Sequence, residues 1–425
     1  MSNPLAARRA RLAAALPLGD ALLLVGAGEP VPLPEGTDQT YPFRAHAEYF
    51  YLTEMECPGG VVAFDPRDGA AEGWVSFVPE VTEAERVWEG RTQPPGEPIS
   101  ALERWLASRS DRPIAVLGEP LRGMHVDAAL TSQVREYFQH ARRPKDALEI
   151  ERLKRTAAAT AAGYARLRGL IRPGVSEREL QIELEAEFFR AGATRTGYGS
   201  IVGTGSNAAV LHFEPSARVV EAGDLVLVDA GAEIDRYVID VTRTFVAGQP
   251  SAFQRDLYDI VLSTQKLAIE RCIPGVEWRD VHLAAALDLT AGLVAIGVLR
   301  GDPHSLVERE AHTLFFPHGL GHMLGLGVRD ASGTLPGRIK DARSALQTLR
   351  MDLPLQAGYV VTVEPGVYFI PPLLNDPRRR ERYHDCVNWD LVAQHLHLGG
   401  VRIEDNILVT DHGPENLTAA IPKTL

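Results

Sequence analysis

Two aspartates lie within apolar, β-rich stretches in the second half of the sequence. Asp229 is close to the end of the stretch 224–230, and Asp240 lies inside the stretch 237–246. An ionised carboxylate among buried β-branched residues is costly unless it is paired or binds a metal. Residues 231–236 predict a hairpin loop, which would place the two carboxylates opposite each other. A divalent cation would then remove their repulsion, although aspartate also occurs at turns for its backbone hydrogen bonds.

Three further residues could complete a metal site. His322 lies in the segment His-Gly-Leu-Gly-His, where glycines allow the backbone to pass close to a ligand. Histidine is also the commonest metal-binding side chain. Glu364 follows an apolar run and precedes Pro365, and Glu404 lies in another β-rich run, where it could instead face solvent.

Together these residues form a hard, mostly oxygen ligand set, which suits Mn²⁺, Co²⁺ or Zn²⁺ better than thiophilic metals. Four carboxylates exceed what one catalytic zinc takes, so the sequence predicts two divalent metal ions per chain, with Mn²⁺ preferred. A metal pair about 3.5–4 Å apart can activate water and polarise a carbonyl, which is hydrolytic chemistry. The predicted ligands are Asp229, Asp240, His322, Glu364 and Glu404.

The surrounding pattern predicts two domains. Residues 1–143 alternate short apolar runs with helical stretches, as expected of a small α/β domain. Pro144 disfavours helix in the residue before it, so a boundary is predicted there and the second domain is 144–425. That domain should be α+β, because its strands lie early and late with helices between them. Its main predicted strands are 224–230, 237–246, 360–368 and 400–410. Its main predicted helices are 147–170, a helix after the Ser176–Glu179 capping box, 252–272 and 278–296.

Composition excludes several classes of function. The chain has 425 residues and a formal net charge of -12, which disfavours binding to nucleic acid phosphates. No apolar run is long enough to span a membrane, and no signal peptide is apparent. The three cysteines are far apart, so a thiolate zinc site is excluded and a disulfide framework is not expected. We expect a cytoplasmic protein.

Four segments of the second domain resemble the pita-bread metallopeptidases, the family of creatinase, aminopeptidase P and prolidase. They read VDAGAEIDRYVIDVTRTF, FPHGLGHMLGLGV, TVEPGVYFI and GGVRIEDNILVT. The long segments between the last three ligands look most like prolidase, the Xaa-Pro dipeptidase. The resemblance implies a C-terminal pita-bread fold preceded by a creatinase-like N-terminal domain. It also implies that the protein hydrolyses the peptide bond before proline.

The resemblance implies roles for residues outside the metal set as well. Glu364 matches the glutamate that acts as general base, and His212 matches a histidine that hydrogen-bonds the substrate near the scissile bond. Tyr198 and Arg402 match positions that support the ligands or the substrate. Arg350 matches the prolidase arginine that binds the free carboxylate of a dipeptide. Each could also be an ordinary core or surface residue.

Arg329 departs from the family, which usually has histidine in this Val-His-Asp segment. Arginine can stabilise an oxyanion but does not release its proton near neutral pH, which puts the usual proton relay in doubt. We therefore expect a prolidase-like dipeptidase, with aminopeptidase P acting on longer Xaa-Pro peptides as the alternative. Creatinase-like hydrolysis without metals and a non-catalytic binding module fit less well, because all five ligands are intact. The expected partners are a small peptide and a second copy of the chain in a homodimer.

Overall fold

The computed structural model describes residues 4–34, 36, 39–121, 123–335, 337–339 and 341–425. The chain divides into two compact units, Met1–Arg142 and Arg143–Leu425. Both units combine helices with sheets, so the predicted α+β class is confirmed. Across these described residues, the helices are all too short or too polar to cross a membrane.

The first unit contains a mixed sheet with the strand order β4-β3-β2-β1-β5. Its interior strand β1 is buried along its whole length, which explains its uninterrupted apolar sequence. The strands are β1 (Leu22–Gly26), β2 (Val61–Phe64), β3 (Trp74–Val78), β4 (Glu97–Pro98) and β5 (Ile114–Gly118). The helices are α1 (Pro4–Ala15), α2 (Ala47–Thr53), α3 (Glu83–Glu89), α4 (Ala101–Ala107) and α5 (Ala128–Arg142), with a 3₁₀ turn at Pro66–Asp68.

Long helices of the second unit begin at well-defined caps. Asp146, Ser176 and Ser251 each accept a backbone hydrogen bond in a capping box, which confirms the one predicted at Ser176. The helices are α6 (Ala147–Arg168), α7 (Glu177–Arg190), α8 (Ala252–Glu270), α9 (Trp278–Ala295), α10 (Pro303–Glu308), α11 (Ser344–Gln347), α12 (Pro371–Leu374), α13 (Pro377–Arg382) and α14 (Trp389–His395), with 3₁₀ helices at Gly205–Ala209 and Ala311–Leu314.

Short strands of the second unit form several small sheets whose orders include β11-β8-β7, β10-β9-β6 and β14-β17-β18, with β15 paired to β16. The strands are β6 (Arg195–Thr196), β7 (Ile201–Thr204), β8 (Leu225–Ala230), β9 (Ala232–Ile234), β10 (Tyr237–Val238), β11 (Val241–Val246), β12 (Gly333–Thr334), β13 (Met351–Asp352), β14 (Val360–Val363), β15 (Gly366–Tyr368), β16 (Gly400–Arg402), β17 (Asp405–Thr410) and β18 (Gly413–Asn416).

The hairpin predicted around residues 231–236 is more elaborate than a loop. Strands β8 and β11 pair antiparallel, as predicted, but β9 and β10 form a second hairpin between them. The turn of this inner hairpin is Asp235-Arg236, and both residues have positive φ, which matches the twist of a two-residue hairpin turn. The long strand predicted over 237–246 is therefore wrong, because the chain changes partner after Val238.

Candidate metal centre

Breaks between strands position three of the predicted carboxylates. Asp240 lies between β10 and β11, Glu364 between β14 and β15, and Glu404 between β16 and β17. At the second and third breaks the chain exchanges sheet partners, since β14 pairs with β17 whereas β15 pairs with β16. The uninterrupted strands predicted over 360–368 and 400–410 are thus wrong. A carboxylate at such a break is not bound to the regular alternation of side chains along a strand, so it can point towards a common centre.

Strand register brings Asp229 to the same centre. Asp229 lies in β8 opposite Thr242 of β11, two residues after Asp240. Because residues two apart share one face of a strand, these three side chains point to one side. The hydroxyl oxygen of Tyr198 lies 2.6 Å from Oδ1 of Asp229 and 2.5 Å from Oδ1 of Asp240, so it joins the two carboxylates.

His322 reaches the centre from a segment that runs beside β14. Its backbone NH donates to Oγ1 of Thr362 and its carbonyl accepts from the NH of the same residue. Gly321 permits this approach, because a Cβ there would overlap the carbonyl of Thr362. Nδ1 of His322 lies 3.1 Å from the Met323 carbonyl, which fixes the proton on Nδ1 in the neutral ring. Nε2 then offers its lone pair 3.4 Å from Oδ2 of Asp240.

The remaining glutamates complete the cluster. Ligand atoms of Asp240, His322 and Glu404 all lie within 4.8 Å of one another. Glu404 accepts a hydrogen bond of 2.7 Å from Oγ1 of Thr242. Oε1 of Glu364 lies 3.9 Å from Nε2 of His322. The structure therefore brings all five predicted ligands together.

Crowded carboxylates repel one another, and their pKa values reflect this. Burial, followed by the charge of Asp240, raises the pKa of Asp229 to about 6. Burial also raises the pKa of Glu364 to about 7, although His322 and Arg402 oppose the rise. Burial and three neighbouring carboxylates raise the pKa of Glu404 well above its usual value. The protein alone thus does not neutralise four ionised carboxylates at this centre.

One pair in the cluster behaves differently. Burial is the largest influence on Asp240 and opposes its ionisation, but the hydrogen bond and charge of His322 together with the hydrogen bond from Tyr198 outweigh burial and lower the pKa of the aspartate. The same contact raises the pKa of His322 against the effect of its own burial. The contact with Asp240 therefore favours a proton on the imidazole in the metal-free protein, and a metal ion would take the place of that proton at Nε2. The hard donors, the excess negative charge and the lone pair at Nε2 all fit divalent metal ions.

The guanidinium of Arg402 contacts a carboxylate of the cluster directly. It donates to Oδ2 of Asp229 at 2.7 Å, to the hydroxyl of Tyr368 at 2.9 Å and to Oγ1 of Thr242 at 3.0 Å. Its side chain is almost fully buried, and these three bonds hold it rigidly. Arg402 therefore fixes the orientation of Asp229 and partly offsets its charge.

A cavity of about 1070 Å³ opens onto the cluster. His212, Arg329 and Arg350 line it, but they are exposed and lie outside the group of ligands. Burial, followed by the charges of Arg329, Arg402 and Arg350, lowers the pKa of His212. The imidazole is therefore neutral at pH 7, and two cations lie on the substrate side of the site.

Two site residues were not assigned from the sequence. His318 lines the cavity, its Nδ1 lies 3.8 Å from Oε2 of Glu364, and its Nε2 is hydrogen-bonded to the hydroxyl of Tyr368 at 2.9 Å. Tyr368 in turn accepts from Arg402. The repeated histidine in His-Gly-Leu-Gly-His was a usable signal for His318, whereas nothing local marks Tyr368.

The fold and this centre define a hydrolase of the metallopeptidase class. The family model of metallopeptidase family M24 matches residues 151–411, and the model of the aminopeptidase P N-terminal domain matches residues 5–104. The chain belongs to metallopeptidase family M24, and the pita-bread architecture implied by the sequence is confirmed. Membership of this family also indicates that the protein uses divalent metal.

Comparison with individual relatives bears on the choice between the two predicted peptidase activities. The Xaa-Pro aminopeptidase of Haemophilus influenzae is 33% identical over 444 residues, covering 98% of this chain and 94% of that protein. Aminopeptidase PepP of Pseudomonas aeruginosa has a TM-score of 0.79 and 28% identity, over 99% of this chain and 95% of that chain. Zn-substituted E. coli aminopeptidase P in complex with product has a TM-score of 0.78 and 27% identity, over 100% and 96%. These relatives support the aminopeptidase P alternative better than the prolidase-like interpretation.

Proposed function

We propose that the protein is a Xaa-Pro aminopeptidase that releases the N-terminal residue from peptides whose second residue is proline. Full-length similarity to proteins of that description supports this proposal. The structural observation that carries it is the size of the cavity at the cluster, about 1070 Å³. Pockets for single small ligands span about 300–1,000 Å³, so there is room for residues beyond a dipeptide.

Two divalent ions, which we propose to be Mn²⁺, would be held by the five clustered residues. When bound, the metal would lower the pKa of a water molecule and polarise the scissile carbonyl. Oxygen donors outnumber the single imidazole, which is the reason for preferring Mn²⁺ over a softer metal. The proposed ligands are Asp229, Asp240, His322, Glu364 and Glu404.

Glu364 is the proposed general base. Both glutamates line the cavity, but the side chain of Glu364 is 18% exposed and Glu404 is 1% exposed, so Glu364 is the more accessible to a water that attacks the substrate. A carboxylate whose pKa is raised holds a proton more firmly and can pass it to the leaving amine. His318 lies 3.8 Å from Glu364 without a hydrogen bond to it, because its ring nitrogens are engaged by the Gly319 carbonyl and the Tyr368 hydroxyl.

His212 is the proposed substrate-binding histidine. Being neutral, its ring offers one N–H and one bare nitrogen, which suits hydrogen bonds to a peptide group. Arg402 holds Asp229 and Tyr368 in place, so we assign it to positioning rather than to proton transfer. Tyr198 similarly fixes the separation of Asp229 and Asp240.

A Xaa-Pro dipeptidase is the second candidate. The observation that favours it is Arg350 in the cavity wall, where a guanidinium could bind the free carboxylate of a dipeptide. Arg329 offers a second cation on the same side. We rank this candidate below the aminopeptidase because both arginines are exposed and the cavity has further room.

The test compares matched peptides on protein reconstituted with Mn²⁺. We expect Xaa-Pro-Yaa tripeptides to be cleaved faster than Xaa-Pro dipeptides and Xaa-Ala-Yaa controls to resist cleavage. Faster cleavage of dipeptides would favour the second candidate. Equal cleavage of proline and alanine peptides would contradict both.

We also propose a cytoplasmic location. Cys57, Cys272 and Cys386 are buried free thiols, as expected in a reducing compartment. The homodimer implied by the family resemblance stays a prediction, which light scattering of the purified protein would test.

A further inference from the structure

One buried glutamate has no part in the proposed metal centre. Glu177 is the first residue of α7 and is 0% exposed. It precedes Arg178, whose side chain lines the cavity at the metal centre. A charged side chain is almost never fully buried unless it is paired or hydrogen-bonded. The groups that the Glu177 carboxylate binds therefore indicate its role.

Five hydrogen bonds converge on this carboxylate. Oε1 of Glu177 accepts from the backbone NH of Thr204 at 2.8 Å, from Oγ1 of Thr204 at 3.0 Å and from Nδ2 of Asn207 at 2.9 Å. Oε2 accepts from the backbone NH of Ser216 at 3.1 Å and from Oγ of Ser216 at 2.5 Å. The two oxygens of a carboxylate offer about four lone-pair sites, so these donors saturate both. Glu177 is therefore not available to bind a metal ion or a substrate.

The two groups of donors lie at opposite ends of one segment. Thr204 ends β7, and Ser216 follows the segment 205–215. The backbone of α7 supports the second end, since the NH of Arg178 donates to the carbonyl of Ser216 at 3.0 Å. One carboxylate therefore holds both ends of the loop 205–215.

His212 lies within this loop, between two apolar residues. Leu211 and Phe213 pack against a small buried cluster that includes Tyr368, whereas His212 is exposed and lines the cavity. Apolar contacts are not directional, so those of Leu211 and Phe213 do not by themselves fix the direction of the imidazole. Hydrogen bonds are directional, and those at the ends of the loop determine where its backbone runs.

We propose that Glu177 is a positioning residue, which holds the loop 205–215 so that His212 points into the cavity and can bind the peptide substrate. This inference rests on the proposed function, because it assigns Glu177 to substrate binding in that reaction. In Glu177→Gln, the amide group would turn an NH₂ towards one of the two groups of donors. The backbone NH groups of Thr204 and Ser216 cannot accept a hydrogen bond, so one end of the loop would lose a partner.

The first measurement is backbone amide hydrogen exchange of the metal-free protein, which does not depend on activity. We expect exchange over residues 204–216 to be at least about tenfold faster in Glu177→Gln, because a hydrogen bond to a charged group is lost. Glu179→Gln is the matched control, since Glu179 is exposed in the same turn of α7 and forms the capping box with Ser176, which glutamine can also form. This control should exchange like the unaltered protein. Unchanged exchange in Glu177→Gln would overturn the proposal, whether or not the protein is an aminopeptidase.

The second measurement is steady-state kinetics with Xaa-Pro-Yaa tripeptides. Because His212 is proposed to bind the substrate, Glu177→Gln should raise KM about tenfold and leave kcat within about twofold. A variant that is merely destabilised would lower kcat at unchanged KM, since fewer molecules are folded but the folded ones bind normally. In the His212→Ala background, Glu177→Gln should not raise KM further. Lower kcat at unchanged KM, or independent effects of the two substitutions on KM, would assign Glu177 to the stability of the fold alone.

Two milder variants keep the proposal testable if Glu177→Gln does not fold. Ser216→Ala removes the hydroxyl donor to Oε2, and Thr204→Val removes the hydroxyl donor to Oε1 while keeping a β-branched shape. Each should raise KM about threefold, as expected for one hydrogen bond among several. An unchanged KM in both variants would overturn the proposal. If the unaltered protein cleaves no Xaa-Pro peptide, the proposed function is refuted instead, and hydrogen exchange alone decides whether Glu177 holds the loop.

Discussion

Metal binding to the carboxylate cluster should depend strongly on pH, because the metal-free fold holds protons where the metal must bind. In the experiment, metal is removed from the protein with a chelator, and the protein is then titrated with Mn²⁺ at several pH values between 5.5 and 7.5. The pKa of Glu364 is raised to about 7 and that of Asp229 to about 6. Both are therefore largely protonated at pH 5.5, and a cation needs them ionised. Affinity must rise with pH.

The magnitude follows from these two values. At pH 5.5, the need to deprotonate Glu364 reduces the apparent affinity for Mn²⁺ by roughly 30-fold, and the need to deprotonate Asp229 reduces it roughly fourfold further. We thus expect the affinity for Mn²⁺ to rise by about 100-fold from pH 5.5 to 7.5, or about 3 kcal/mol. The raised pKa values of Glu404 and His322 act in the same direction. The lowered pKa of Asp240 adds nothing in this range.

Affinity is a cleaner measure here than melting temperature. Carboxyl groups with raised pKa values stabilise the metal-free fold at low pH, and this stability is lost as pH rises through those values. His282 and His312 have the opposite effect, because burial lowers their pKa values to about 3 and 4, so stability falls as pH drops below the usual value for histidine. Neither is among the predicted ligands, so metal binding does not displace a proton from them.

Isothermal titration calorimetry in two buffers of different ionisation enthalpy would give both the affinity and the number of protons released. Glu364→Gln removes one titrating group, so its affinity for Mn²⁺ should rise less steeply with pH than that of the unaltered protein. Glu214→Gln is the matched control, since Glu214 lines the same cavity but is exposed. An affinity that stays constant from pH 5.5 to 7.5, or binding without proton release, would refute the reasoning.

Three further predictions concern the same site. Asp240→Asn should lower both the metal content, from about two ions per chain, and the activity, because it removes a donor close to His322; a single tightly held ion with full activity would contradict this. Glu364→Gln, when fully metallated, should lose at least about 10²-fold in turnover in a peptide-release assay. Arg350→Ala should raise KM for Xaa-Pro dipeptides more than for tripeptides. If Arg329→Ala has that effect instead, the carboxylate is bound by the other arginine.

Sequence reasoning predicted the clustered carboxylates because carboxylates are conspicuous among apolar β-branched residues. It did not find the breaks in the strands that carry them. Alternation of side chains reports which face a residue occupies, but a change of pairing partner depends on strands distant in the sequence. Pro365 is a local signal for the break after Glu364, whereas Asp240 and Glu404 have no comparable neighbour.

Long-range hydrogen bonds explain the other residues that the sequence did not reveal. Thr242 links Glu404 to Arg402 through its hydroxyl, and Tyr368 links Arg402 to His318. Threonine and tyrosine are common in strands for their β propensity alone. Their identity therefore carried no indication that their hydroxyls organise the centre.

The predicted metal ligands could not distinguish a dipeptidase from an aminopeptidase, because both hypotheses use the same five residues. The distinction depends instead on which contacts the cavity makes with the part of the substrate that follows proline. Arg329 and Arg350 lie on neighbouring segments, since the backbone NH of Gly333 donates to the carbonyl of Arg350. Both side chains are exposed, and exposed ion pairs contribute only about 0–1 kcal/mol. A free carboxylate therefore gains at most about fivefold in affinity here, which is too little to exclude longer peptides from a cavity of about 1070 Å³. The proposed aminopeptidase should therefore prefer peptides that extend past proline but still accept dipeptides.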